Sequence, residues 1–181
     1  MKRIILITGG ERSGKSAYAE QLALRLSPNP VYMATAHPWD EEFRERIRRH
    51  QERRGPQWTN IEEERHLSCH DVRGRVVLVD CLTLWATNFF FDREGEKVEQ
   101  VLDELKAEFE RLTRQEATFI FVTNEIGMGG VSPNAVQRRF TDLMGWFNQF
   151  VASQADEVTL MVSGIPMKVK TPSNSPRGGE N

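Results

Sequence analysis

The run Gly9-Gly10-Glu11-Arg12-Ser13-Gly14-Lys15-Ser16 constrains this chain more than any other feature. It satisfies G-x-x-x-x-G-K-[ST] at every specified position and sits between the two segments such a loop requires. Ahead of it, Ile4-Ile5-Leu6-Ile7 is a short, β-branched apolar run with the character of a buried parallel strand. Behind it, Ala19, Leu22, Ala23 and Leu26 recur at amphipathic-helix spacing over 16–26, and Pro28 and Pro30 stop the pattern. A strand–loop–helix of this kind turns successive backbone amides toward phosphate oxygens and adds the positive potential of a helix start. Lys15 is placed to reach the β- and γ-phosphates, and the Ser16 hydroxyl to ligate Mg²⁺. The segment reads as a cradle for a purine nucleoside triphosphate.

Similar patterns follow along the chain. Val31–Thr35 reads as a second strand, and 38–54 as a charge-dense helix with Phe43 and Ile47 as its apolar contacts. The stretch 57–74 is polar and reads as loop with short helical turns. Val76–Val79 is a buried strand ending at Asp80, and 82–91 is apolar enough to pack on the sheet or on another subunit. From Val98 the apolar positions 98, 101, 102, 105, 109 and 112 describe a long amphipathic helix. Phe119–Val122 is a strand leading to the turn Gly127-Met128-Gly129-Gly130. Ser132-Pro133 then reads as an N-cap followed by proline at the first helical position. The helix it opens presents Phe140, Leu143, Met144, Phe147 and Val151. Val158–Val162 is a last strand, continued after Gly164 by 167–169.

Strands alternating with helices of this length predict a three-layer α/β fold with a mainly parallel sheet. Residues 1–170 are expected to form one domain, and 171–181, which lack an apolar anchor, a disordered tail. Asp80, at the end of its strand, is the natural acidic partner for the metal.

The formal net charge of −2 argues against nucleic acid as a partner. The longest apolar runs fall well short of a membrane span, so a cytoplasmic location is expected. Cys69 and Cys81 occur in no CxxC or His-rich cluster, which indicates neither a disulfide framework nor a zinc site. His37, His66 and His70 have no evident base or ligand partner in the sequence.

In the basic segment 46–54, Phe43, Ile47 and His50 fall on one helical side and Arg46, Arg49 and Arg53 on a neighbouring stripe. Guanidinium groups beside an imidazole suit attack on a polyanionic phosphate. Spacing alone favours the plainer reading, an exposed charged helix with an incidental histidine.

Taken together, several blocks resemble the bifunctional adenosylcobinamide kinase / adenosylcobinamide-phosphate guanylyltransferase family. They are 7–16, Tyr32-Met33-Ala34-Thr35-Ala36, Arg46-Ile47 with His50, Trp58-Thr59 with Glu62, 79–85, 122–129, and 155–158 with 162–170. The resemblance runs in order from about residue 3 to 170. It implies a RecA-like P-loop fold in a homotrimer, and a role in cobalamin biosynthesis. Adenosylcobinamide would be phosphorylated with ATP or GTP. GMP would then pass from GTP, through a guanylyl-histidine, to adenosylcobinamide phosphate. By motif position His50 is that histidine. Many relatives carry two adjacent histidines where this chain has Arg49-His50, and the second is the one retained. The nucleotide contacts implied are Gly9, Gly10, Glu11, Arg12, Ser13, Gly14, Lys15, Ser16, Thr35, Ala36, His37, Gln51, Glu52, Arg53, Arg54, Glu62 and Asp80, with Ser16 and Asp80 on Mg²⁺. The alternatives are a P-loop small-molecule kinase without nucleotidyl transfer, and an ATP-driven nucleic-acid motor, which the acidic balance disfavours.

Overall fold

The computed structural model describes residues 1–38, 41–52, 54–93 and 95–172, without the side chains of Glu42, Phe43, Arg46, His50 and Gln51. The expected disorder of the tail therefore lies, from residue 173 on, outside the described residues.

Seven strands form one sheet: β1 (Arg3–Gly9), β2 (Val31–Ala34), β3 (Thr59–Glu62), β4 (Val76–Asp80), β5 (Thr118–Asn124), β6 (Glu157–Val162) and β7 (Ile165–Lys170). The spatial order is β3-β2-β4-β5-β1-β6-β7. The first six strands run parallel, and β7 returns antiparallel along β6. One strand, β5, separates β1, which leads into the glycine loop, from β4, which ends in Asp80.

Strand alternation divides the core cleanly. Ile4, Leu6, Val31, Met33, Val77, Val79, Phe119 and Phe121 face one side, where they pack under α3 (Leu82–Asp92), α4 (Val98–Thr113) and α5 (Ala135–Gln154). Their neighbours Ile5, Ile7, Tyr32, Leu78, Ile120 and Val122 face the other, against α1 (Lys15–Leu26). Helices on both faces of a largely parallel sheet make the expected three layers. The larger core is aromatic: Phe109 packs on Phe121, Phe147 and Phe150 with ring centroids 5.0, 6.4 and 5.6 Å away. Truncating so enclosed a ring to alanine costs about 3–5 kcal/mol.

Three local expectations are corrected, and the alternative left open for 82–91 is resolved. The polar stretch after Gln57 holds a strand, β3, pairing parallel with β2 at the sheet edge. Its sequence, Thr-Asn-Ile-Glu, has one apolar residue because an edge strand is covered on few sides. The segment 82–91 packs on the sheet within this chain, with Trp85 and Ala86 fully buried. Helix α5 starts two residues later than its proline suggested. Asn134 is the N-cap, its side chain accepting from the Gln137 amide at 3.1 Å, while the Ser132 hydroxyl is used by the Asn134 amide. Finally, the chain after Val162 reverses rather than continues. Ser163 (φ 50°) and Gly164 (φ 82°) are both left-handed, as a tight two-residue hairpin requires, and bring Ile165 opposite Val162.

Candidate functional site

The glycine loop leaves β1 at the carboxyl edge of the sheet and enters α1 directly. Gly9 sits where a Cβ would lie 2.6 Å from the Met161 carbonyl oxygen and 2.7 Å from Ser13 Oγ, so no larger residue fits. Gly14 caps α1 in a left-handed conformation (φ 93°), with the Gly164 Cα 3.3 Å from any added Cβ. The β6–β7 turn braces the loop from that side, the Gly164 amide donating to the Ser13 carbonyl at 2.9 Å. The first amides of α1 have no intrahelical acceptors, as at any helix start, which suits them to an anion.

Lys15 is 7% exposed. Its ammonium donates to the Gly10 carbonyl and lies 3.4 Å from Ser13 Oγ. Burial lowers its pKa, opposed by the nearby carboxylates of Glu11 and Asp80. Among the described residues no carboxylate pairs directly with it, so a phosphate oxygen would be its strongest available partner. Glu11 and Arg12 are exposed on the loop, and Arg12 is left-handed (φ 53°).

Asp80 stands two strands from β1. Its Oδ2 accepts from the Tyr32 hydroxyl at 2.8 Å, and the Arg54 guanidinium stacks 3.6 Å above the Tyr32 ring. Burial, then the neighbouring Asp80 charge, raises the Tyr32 pKa well above its ordinary value, so the phenol stays a donor to the carboxylate. Trp58 meets the same ring edge-on, with centroids 5.7 Å apart. Thr35, fully buried, closes the next strand end: its hydroxyl donates to the Cys81 carbonyl at 2.8 Å and accepts from the Cys81 amide at 2.9 Å. Gly9–Ser16, Thr35, Arg54 and Asp80 are thus gathered along one edge.

The remaining expected residues fall beside this edge. Ala36 and Glu62 line a cleft of about 470 Å³ with Ala34, Pro38, Glu63 and Glu64, walled by Arg44, Ile47 and Arg48 of α2 (Glu41–Glu52). His37 borders a smaller cavity of about 90 Å³ with Glu64, Arg65, Asn88 and Asp92. There its Nδ1 is 2.8 Å from Glu64 Oε1, a partner the sequence did not reveal. Glu52 is exposed, 3.9 Å from Arg48. His50 and Gln51 belong to α2, but their side chains, and all of Arg53, lie outside the described residues. Of the basic stripe, Arg49 pairs with Glu45 at 3.0 Å, and this bond together with Arg48 holds the Glu45 carboxyl below its usual range.

Two residues at the edge went unread in the sequence. Tyr32 interrupts a buried apolar strand, and a buried tyrosine needs a partner for its hydroxyl. Asn88 stands in the apolar helix Leu-Thr-Leu-Trp-Ala-Thr-Asn-Phe-Phe-Phe-Asp and donates to the Thr35 and Glu64 carbonyls at 2.8 and 2.9 Å, tying the two strand ends together. A buried amide in such a run is itself the signal.

Among the described residues no helix is long and apolar enough to cross a membrane. The fold is similar to that of a solved ATPase from the type III secretion system of pathogenic bacteria. That likeness has TM-score 0.53 and 13% identity over 87% of this chain and 50% of the other. A Pyrococcus horikoshii OT3 protein is similar at TM-score 0.51 and 8% identity, over 93% and 86% of the two chains. Residues 5–169 match the family model described as cobinamide kinase / cobinamide phosphate guanyltransferase. The chain is 38% identical to the bifunctional adenosylcobalamin biosynthesis protein CobP of Pseudomonas aeruginosa, over 91% of this chain and 96% of that one. It is 39% identical to the Escherichia coli K12 bifunctional adenosylcobalamin biosynthesis protein CobU, over 92% and 99%. With a phosphate loop built at the sheet edge and these relatives matched along nearly their full length, the chain belongs to the cobinamide kinase / cobinamide phosphate guanyltransferase family.

Proposed function

We propose that this enzyme performs both reactions for which its family is named, in cobalamin biosynthesis, from one triphosphate site. It phosphorylates the aminopropanol hydroxyl of adenosylcobinamide with ATP or GTP. It then transfers GMP from GTP to the resulting phosphate. The observation that carries this reading is the buried Lys15 ammonium, held by loop oxygens with Asp80 nearby and α2 walling the adjoining cleft.

In the first reaction the chain's part is positioning and charge neutralisation. Loop amides and Lys15 hold the phosphates. The Ser16 hydroxyl and Asp80 carboxylate would hold Mg²⁺, both being hard oxygen donors of the kind it takes. Asp80 fits that role, since Tyr32 engages Oδ2 and no hydrogen bond reaches Oδ1 among the described residues. Magnesium, when bound, supplies further neutralisation of phosphate charge. Thr35, Ala36, His37, Gln51, Glu52, Arg53, Arg54 and Glu62 complete the nucleotide contacts in this reading.

In the second reaction an imidazole nitrogen of His50 attacks the α-phosphorus of GTP. The bond to the β-phosphate oxygen breaks, and pyrophosphate leaves. The phosphate oxygen of adenosylcobinamide phosphate then displaces the histidine from the same phosphorus, giving adenosylcobinamide-GDP. Two displacements replace one difficult step. His50 stands on α2 three residues after Ile47, which lines the cleft. A homotrimer in the cytoplasm completes the reading, with the exposed apolar row of β7, Ile165, Met167 and Val169, available for subunit contact.

The test uses GTP labelled at the α-phosphate, with Mg²⁺ and no corrinoid. The denatured protein should carry label that survives alkali and is lost in mild acid, as a phosphoramidate does. His50→Ala should carry none and still phosphorylate adenosylcobinamide. Undiminished label on His50→Ala, or label on His37, His66 or His70, would overturn the assignment. Active but unlabelled wild-type enzyme would establish a kinase without nucleotidyl transfer.

A further inference from the structure

Where β3 ends, the chain turns through 63–66 into a single 3₁₀ turn, Leu67–Cys69. This places three donors of different chemistry together. The Glu63 carboxylate, the Cys69 thiol and the His70 imidazole offer ligand atoms that all lie within 4.8 Å of one another. His70 Nε2 is shut off from solvent and has no hydrogen-bond partner among the described residues, although a buried imidazole nitrogen ordinarily has one. Its nearest charged neighbour, Glu63 Oε2, is 3.7 Å away, too far for a hydrogen bond. Two ligands of one tetrahedral ion with bonds of about 2.0–2.3 Å lie roughly 3.3–3.8 Å apart, and the 3.7 Å between His70 Nε2 and Glu63 Oε2 falls in that range.

The donors are also held in place. Glu63 Oε1 accepts from the Arg65 and His66 amides, each at 2.9 Å. Leu67 is fully buried, the Ser68 amide donates to Glu108 at 2.8 Å, and the His70 carbonyl accepts from Gln115 at 2.9 Å. Cys69 is exposed, which leaves the fourth position to water.

We propose that Glu63, Cys69 and His70 form a binding site for a zinc-class divalent cation, distinct from the phosphate loop. A mixed sulfur, nitrogen and oxygen set selects such an ion over magnesium. Binding releases the Cys69 thiol proton, so thiolate and carboxylate together neutralise the ion. Because Glu63 also lines the cleft beside Glu62 and Glu64, ligation draws its charge away from Arg44 and Arg48 across that cleft.

The probe is Co²⁺ added to the full chain with excess Mg²⁺ and GTP, which cover the phosphate loop. One equivalent should produce a thiolate-to-cobalt charge-transfer absorption, displaced by Zn²⁺. The band should vanish in Cys69→Ser, and His70→Ala should weaken binding about 10–100-fold. Cys81 is buried, so the exposed Cys69 is the thiol that added Co²⁺ meets. As a second measurement, Zn²⁺ should slow alkylation of Cys69 in the native protein. No charge-transfer band, a band persisting in Cys69→Ser, or alkylation indifferent to Zn²⁺ would overturn the site.

Discussion

Replacing Tyr32 with phenylalanine removes one oxygen and nothing else from the strand end that carries Asp80. The ring is 4% exposed and packs against Trp58 and Arg54, contacts that phenylalanine keeps. The loss is the 2.8 Å hydrogen bond to an ionised carboxylate. Such bonds are worth about 1.5–3 kcal/mol. Asp80 is only half-buried, so water can take over part of the role, which sets the expectation at the lower end, about 1.5 kcal/mol. For a chain of this size that corresponds to a fall in Tm of about 3–6 °C. The pH dependence carries a sign. The folded-state pKa of Tyr32 is raised, first by burial and then by Asp80. Its contribution is therefore fully present below the unfolded value of about 10 and is lost as pH rises from there through the folded value. Urea unfolding of wild type and Tyr32→Phe should show wild type more stable at neutral pH, with the gap closing under alkaline conditions. Equal midpoints at neutral pH, or a gap unchanged to about pH 11, would refute the reasoning.

Lys15→Ala should lower both phosphorylation of adenosylcobinamide and guanylyl transfer by about 10²–10³-fold, since both start from the same cradled phosphates. Substantial kinase turnover in that variant would separate the two sites. Asp80→Asn, nearly isosteric, should raise the Mg²⁺ concentration needed for half-maximal turnover while leaving Tm within a few degrees; an unchanged requirement would make Asp80 purely structural. Glu108 is 1% exposed and its pKa is lowered, amide and hydroxyl hydrogen bonds from Ser68 and the Arg111 pair outweighing burial. Its stabilisation is present above the usual glutamate range and lost as pH falls through the lower folded value. Glu108→Gln should cost about 1 kcal/mol at neutral pH, because the Arg111 partner is half exposed, and should flatten the acid limb of the stability profile. An acid limb identical to wild type would contradict that.

The phosphate loop, five of the seven strands and the long helices were legible because each is a local pattern. A buried parallel strand is a continuous apolar run, and an amphipathic helix repeats its apolar face. β3 was not legible, since an edge strand with Asn60 and Glu62 in it owes its existence to the backbone of β2. The N-cap of α5 was misread because Ser132 and Asn134 both suit the position, and only the folded turn shows which oxygen meets an orphan amide. β7 was read as a continuation because alternation is the same in either direction; the left-handed Ser163-Gly164 pair reverses it.

By itself the sequence determined what lies within a few residues of itself: the glycine loop between strand and helix, Lys15 and Ser16 at the helix start, Asp80 at a strand end, and the ordered motif blocks that mark the family. Only the tertiary structure decided which distant groups meet. Strand order sets Tyr32 against Asp80, Asn88 across Thr35 and Glu64, and the 163–164 turn beside the phosphate loop. The physical reason is range. Periodicity and turn chemistry act along the chain, whereas these contacts arise from burying two apolar faces of one sheet, and that burial is collective and non-directional.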